Sequence, residues 1–81
     1  MQVHFLLFAL YRDLAGTEQL SLELPPGATA RDAVDRLRRT GSGFARLPEA
    51  PVVAINREYA PLHALLREGD ELALLPPVAG G

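Results

Sequence analysis

Hydrophobic residues recur along this chain at two spacings, and each spacing predicts a different kind of element. Short apolar runs and strict alternation of apolar with polar residues predict β-strands. By this criterion the predicted strands are residues 2–10, 18–24, 51–56 and 71–75. A brief further pairing is predicted at Tyr59 and Ala60, after a turn at residues 56–58. The first two strands are separated by a short connection, so they are expected to form a hairpin.

The second spacing, of three and four residues, predicts one helix over about residues 29–39. Its apolar positions are Ala30, Ala33, Val34 and Leu37. Thr29 and Asp32 stand three residues apart at its start, as in an N-terminal capping pair. The GSG sequence at residues 41–43 is expected to end the helix.

The connecting segments are predicted to contain local turns. YRDLAG, residues 11–16, predicts a helical turn that its final glycine stops in a left-handed conformation. Residues 44–50 are interpreted as a loop with a single turn that buries Phe44 and Leu47. PLHALL, residues 61–66, predicts about one helical turn before the last strand.

The order hairpin, helix, strand, short connection and strand predicts an α+β fold of the β-grasp, or ubiquitin-like, type. A mixed sheet of four to five strands with one main helix packed on one face is the simplest layered solution. The first and last strands are expected to lie side by side. Residues 1–75 are expected to form the domain, and residues 76–81 a flexible C-terminal diglycine tail.

Composition narrows the function classes. The chain has 81 residues, no cysteine and a net charge of −2, so we expect one domain without disulfides or thiolate metal sites. The one basic cluster, Arg36, Arg38 and Arg39, is expected on a solvated helix face, which leaves no stripe for nucleic acid. The apolar run Phe5 to Leu10 is too short to span a bilayer, and we expect a cytoplasmic protein without a membrane partner. All eight basic residues are arginine, so no lysine of this chain can accept a ligated carboxylate.

Four stretches of the sequence resemble the small subunit of molybdopterin synthase, the MoaD-like sulfur carriers of the ubiquitin-like superfamily. They are FALYRDLAG (8–16), LPPGATARDAVDRL (24–37), VVAIN (52–56) and LREGDELALLPPVAGG (66–81). The last stretch is the most specific, because it combines a Gly-Asp-Glu turn, alternating apolar residues, two prolines and a terminal diglycine.

The resemblance implies a chemistry for the C-terminal carboxylate. An adenylating enzyme of the ubiquitin-activating type would use ATP to activate Gly81, and a sulfur donor protein would convert the acyl adenylate to a thiocarboxylate. The large subunit of molybdopterin synthase would then use it to add sulfur to cyclic pyranopterin monophosphate, in molybdenum cofactor biosynthesis. The chain itself would bind no cofactor. It shows no set of nucleophile, base and orienting group, so we expect it not to be catalytic alone.

The residue types of the tail suit that chemistry on physical grounds. Gly80 and Gly81 lack a Cβ, so they can enter a narrow, water-excluding channel. Pro76 and Pro77 fix φ and favour an extended arm. The partner contacts expected along the arm are those of Pro76, Pro77, Val78 and Ala79.

A docking patch is also expected. Alternation places Phe8 and Leu75 on the outward sides of the first and last strands. The resemblance implies that they form an apolar partner surface with Tyr59. It also implies that Arg12 pairs with an acidic partner residue, although Arg12 can equally pair with Asp13 at the surface.

Other polar residues are expected to be structural. His4 and His63 are isolated, so no metal site or catalytic dyad is expected. Asp70 and Glu71 point to opposite faces of a strand, which argues against an acid and base pair, and Asp70 is expected to serve the turn at Gly69.

Three other functions remain compatible with the same residues. A sulfur carrier for thiamine thiazole synthesis or for tRNA thiolation would use the same tail chemistry. A protein modifier would be attached to lysines of other proteins through Gly81. A pure interaction module would have an incidental tail.

Overall fold

A computed structural model describes residues 1–77 of the chain. The expectations for Val78, Ala79, Gly80 and Gly81 lie outside the described residues. The strands are β1 (Gln2–Leu7), β2 (Gln19–Glu23), β3 (Val52–Ile55), β4 (Glu58–Ala60) and β5 (Glu71–Leu75). The helices are α1 (Ala9–Ala15), α2 (Ala30–Arg38) and a short 3₁₀ helix at Phe44–Arg46. Neither α1 nor α2 has the length and hydrophobicity needed to cross a membrane.

The strands form one five-stranded mixed sheet in the order β2-β1-β5-β3-β4. β1 pairs antiparallel with β2 and parallel with β5, and β3 pairs antiparallel with both β5 and β4. The predicted hairpin and the predicted contact between the first and last strands are both confirmed. With the main helix on one face, this is the predicted β-grasp arrangement.

The core lies between the sheet and α2. Alternation sends one set of side chains from β1 and β5 inward, where they meet the apolar stripe of α2. The inward residues at 1% exposure or less include Val3, Phe5, Leu7, Leu72, Leu74, Ala33, Val34 and Leu37. The helix begins at the predicted capping pair, since the Thr29 Oγ1 accepts from Asp32 N and the Asp32 carboxylate accepts from Thr29 N.

The predicted end of α2 near residue 39 is confirmed, but the predicted role of GSG in ending it was wrong. The helix ends at Arg38, and Gly41 and Gly43 are not left-handed. Arg36 O in the last turn instead accepts from Arg39 N at 3.2 Å and from the Thr40 hydroxyl at 3.0 Å. Arg38 also departs from expectation, since its Nε donates to Leu47 O at 2.8 Å rather than facing only solvent.

Two further boundaries differ from the predictions. The first strand ends at Leu7 rather than at residue 10, because Ala9 has a φ of 47° and turns the chain into α1. Residues 61–66 form a turn and no helix. Their carbonyls accept from the free N–H groups at the start of α2, with Ala30 N donating to Ala64 O at 2.9 Å.

The loop after α2 buries Leu47 as expected, whereas Phe44 is only half-buried, and the loop supports α1. The predicted single turn is the 3₁₀ helix. Leu47, directly after it, is fully buried. Gly43, directly before it, lies against α1. A Cβ at Gly43 would lie 2.8 Å from the carbonyl oxygen of Leu14. This close approach of two backbones fixes α1 on the rest of the domain.

Gly43→Ala is therefore expected to lower the free energy of unfolding by about 1–3 kcal/mol, because a backbone carbonyl cannot move aside as a side chain can. Urea denaturation measures the change. Gly41→Ala is the matched control, since a Cβ there would meet only the Phe44 ring, at 3.5 Å. Equal stability of the two variants would contradict the close packing of Gly43 on α1.

Candidate docking surface and tail exit

The parallel pairing of β1 and β5 sets the position of the tail. Leu7 pairs with Leu74 at the end of both strands, so Phe8 follows β1 beside Leu75. The chain then leaves the sheet through Pro76, which is half-buried, and Pro77, which is exposed. The tail exit and Phe8 therefore lie at the same edge of the sheet.

Next to this exit, the outer face of the sheet carries a row of apolar side chains. Strand register places Leu6, Ala73, Ala54 and Tyr59 side by side on β1, β5, β3 and β4. Together with neighbouring residues they line a shallow groove of about 400 Å³, which we call the outer-face groove. Its lining residues are Leu6, Phe8, Ala54, Arg57, Tyr59, Glu71, Ala73 and Leu75.

The groove is concave because small residues form its floor and large ones its rim. Ala54 and Ala73 are each only 7% exposed, whereas Phe8 is 45% and Tyr59 80% exposed. Leu75 is half-buried between them. Exposed aromatic side chains around a recess are typical of protein interfaces.

The structure therefore brings together Phe8, Tyr59 and Leu75, as their outward placement predicts. Sequence reasoning missed Ala54 and Ala73, which form the floor. The alternation of β3 and β5 already places them outward, but only the register shows that they are adjacent. The partner-binding role of Phe8, Tyr59 and Leu75 remains a prediction.

Two residues in left-handed conformations shape the Tyr59 side of the groove. Asn56 and Arg57 have φ values of 51° and 73°, as expected for a two-residue hairpin turn of type I′. The Asn56 amide donates to Asp70 Oδ1 at 2.9 Å and accepts from Glu71 N at 3.0 Å. These bonds tie the β3–β4 hairpin to the start of β5. The predicted role of Asp70 in its turn is confirmed, since Oδ2 accepts from Arg67 N at 2.7 Å.

Helix α1 positions the Phe8 side of the groove. Gly16 ends it in a left-handed conformation with a φ of 79°, as predicted. Tyr11 is its buried anchor, and burial raises the pKa of its phenol above 10.0. Arg12, the next residue, is exposed, with Nε 3.7 Å from Asp13 Oδ1. The structure does not bring Arg12 into the outer-face groove, and an exposed pair of this kind contributes little to stability, so the guanidinium remains available to a partner.

The two histidines, His4 and His63, lie on different parts of the domain. His4 Nδ1 lies 2.6 Å from Ser21 Oγ on the outer face, and His63 is exposed on the turn after β4. Within residues 1–77 no group of three or more His, Asp or Glu side chains is arranged to hold a metal ion.

Tyr11 gives a pH test of this arrangement. Because its pKa is raised in the folded state, the folded chain holds the phenolic proton more tightly than the unfolded chain does. Its contribution to stability is complete below about pH 10 and is lost as the pH rises through the folded pKa. Tyr11→Phe is expected to flatten this alkaline decline in urea unfolding.

Tyr59→Phe, at a tyrosine that is 80% exposed, is the matched control and is expected to keep the wild-type pH dependence. If the free energy of unfolding of Tyr11→Phe fell as steeply at alkaline pH as that of wild type, the burial of the Tyr11 ring in the core would be contradicted.

Comparisons with known proteins extend over the whole chain. Residues 5–81 match the ThiS family. The chain is 35% identical over 81 residues to the molybdopterin synthase sulfur carrier subunit of Arabidopsis thaliana, covering 100% of this chain and 84% of that one.

Two solved structures show the same fold. SAMP1, a small archaeal modifier protein of Haloferax volcanii, superposes with a TM-score of 0.86 at 31% identity, with 100% of both chains covered. A chain in the complex of subunits 1 and 2 of the molybdopterin-converting factor from Helicobacter pylori 26695 gives a TM-score of 0.71 with full coverage of both chains. At 23% identity the latter likeness shows the fold alone.

Proposed function

The chain belongs to the ThiS family, and from this premise we propose that it is the sulfur carrier of a molybdopterin synthase, with the sulfur held as a thiocarboxylate on Gly81. Relatives named molybdopterin synthase sulfur carrier subunit support this, at 32% identity in Chlamydomonas reinhardtii and 37% in Drosophila ananassae. The observation that carries the proposal is the position of Pro76 and Pro77, which precede the diglycine in the sequence, beside the outer-face groove.

The proposed reaction begins on the carboxylate of Gly81. A carboxylate is a poor electrophile, so an adenylating partner joins it to the phosphate of AMP and releases pyrophosphate from ATP. Hydrosulfide supplied by a donor protein then attacks the acyl carbon, so that a C–S bond forms, AMP leaves and a thiocarboxylate remains. The large synthase subunit uses that sulfur on a cyclic pyranopterin monophosphate. We expect these steps to take place in the cytoplasm, which cell fractionation would test.

The chain contributes to each step through the length of its C-terminal segment and through the small size of its last two residues. Residues 78–81 span at most about 14 Å when fully extended, so a partner that holds the carboxylate must come close to Pro77. Gly80 and Gly81 present no Cβ to a channel that has to exclude water around the reactive acyl group. The two prolines limit the number of conformations that binding must select.

The outer-face groove is the proposed docking site for the large subunit. A partner that covers it can bury Phe8 and Tyr59, which are exposed in the free chain, against the alanine floor. Burial of such anchors in a recess is a common source of affinity. The likeness to a chain in the BexX/CysO complex of Amycolatopsis orientalis, at 30% identity and a TM-score of 0.63, supports a protein partner.

A second function is favoured by one specific comparison. The likeness to SAMP1, at 31% identity, supports conjugation of Gly81 to lysines of other proteins. Because this chain has no lysine, it would modify only other proteins. Because Arg67 is the last tryptic site, proteomic analysis after trypsin digestion would then find residues 68–81 attached to cellular lysines, and this remnant would disappear when Gly81 is deleted.

Intact-mass spectrometry tests the sulfur carrier function directly. Protein purified from cells that make the cofactor is expected to contain a fraction in which one oxygen at Gly81 is exchanged for sulfur. Gly81→Val is expected to abolish this fraction, because a branched side chain blocks entry to the adenylating site. Persistent absence of the exchange in wild-type protein, with the activating enzyme present, would reject the proposal.

Tyr59→Ser tests the docking site. It is expected to weaken binding to the large subunit about tenfold or more, because it removes an aromatic anchor, while stability stays nearly unchanged at this exposed position. Titration calorimetry measures both affinities. Glu58→Ser, on the opposite face of β4, is the control and is expected to bind like wild type. Wild-type affinity of Tyr59→Ser would exclude the groove as the docking site.

A further inference from the structure

The corner between β1 and α1 exposes a second apolar side chain near the tail exit. Leu10 is 58% exposed, although α1 buries Tyr11 beside it. It lies two residues beyond Phe8, so their Cα atoms are at most about 7.6 Å apart. Leu10 does not line the outer-face groove, and nothing in the proposed function uses it.

The backbone at this corner is strained. Ala9 has a φ of 47°, a left-handed conformation that a residue with a Cβ rarely adopts. It stands between the two exposed side chains, directly after the extended backbone of Phe8. The corner is held because Tyr11 N and Arg12 N donate to Phe8 O, and because Gly43 packs on the far end of α1. Strain that the surrounding structure maintains is common at binding sites.

We propose that Leu10 is a second docking contact, and that strained Ala9 presets Phe8 and Leu10 as one rim that inserts into an apolar cleft of the large synthase subunit. This inference rests on the proposed function, in which Gly81 must enter that subunit. The four residues beyond Pro77 reach at most about 14 Å, so the subunit has to approach the edge where β1 and β5 end. The rim stands at that edge.

Leu10→Ser tests the contact, and Leu65→Ser is its matched control. Leu65 is 68% exposed but does not line the outer-face groove, and it bridges to Thr29 before α2 rather than standing at the corner between β1 and α1. Leu10→Ser is expected to weaken binding to the purified large subunit about tenfold by calorimetry, as burial of one leucine predicts. Leu65→Ser is expected to bind like wild type, and Leu10→Met to restore most of the affinity.

Ala9→Gly tests the role of the strain. Glycine adopts a positive φ without penalty, so this variant is expected to raise the melting temperature by a few degrees. It is also expected to weaken binding about threefold, because a corner that is free to move has to be ordered on docking. If the strain at Ala9 had only a structural role, Ala9→Gly would change the melting temperature and leave the affinity for the large subunit intact.

Wild-type affinity of Leu10→Ser, with circular dichroism showing a folded chain, would overturn the inference. That result is distinguishable from failure of the proposed function. If only the Leu10 contact is absent, wild-type protein still acquires sulfur at Gly81 and binds the large subunit. If the proposed function is wrong, wild-type protein does neither.

Discussion

The parallel pairing of β1 with β5 is the constraint on which the rest of the structure depends. It places the first and last strands at the centre of the sheet, where their inward side chains meet α2. Because the two strands run in the same direction, they also end at the same edge. The chain therefore leaves the sheet beside the residues that begin α1. A last strand at the sheet margin would separate the tail from the apolar groove.

Alternation along β5 lets one strand serve both stability and recognition. Leu72 and Leu74 are fully buried in the core, whereas Ala73 on the other side forms the groove floor. Small outward residues leave room for a partner's side chains without weakening the core beneath them. The left-handed residues Ala9, Asn56 and Arg57 all lie at the boundary of the groove or just beyond it. Backbone strain is thus concentrated around the proposed interface, where it sets the direction of exposed side chains.

Much of this arrangement could be predicted from the sequence, because its main signals are local. Alternation located the strands, and the Thr29 and Asp32 pair located the start of α2. The errors arose where a distant contact decided the outcome. Residues 61–66 form no helix since their carbonyls bond to the start of α2. The GSG sequence does not cap α2, because Arg39 N and the Thr40 hydroxyl already bond to Arg36 O in the last turn.

The candidate site was predictable to a similar extent. The outward placement of Phe8 and Leu75 follows from period two, but the recess between them depends on strand register. Alternation places Leu10 on the same face as Phe8, but its position on α1 could not be foreseen, because no sequence signal marks Ala9 for a positive φ. An alanine at that position reads as part of the apolar run, and the strand was therefore predicted to continue.

Methyl NMR of the carrier bound to the large subunit tests most directly whether groove and tail exit act together. Cross-saturation from a protonated large subunit to a deuterated carrier would report which methyl groups lie at the interface. We expect transfer to the methyl groups of Ala54, Ala73 and Leu75, which line the groove, and none to Leu65, which does not line it. Saturation transfer to methyl groups on the α2 side of the sheet, with none to those of the outer-face groove, would contradict a shared role for the groove and the tail exit.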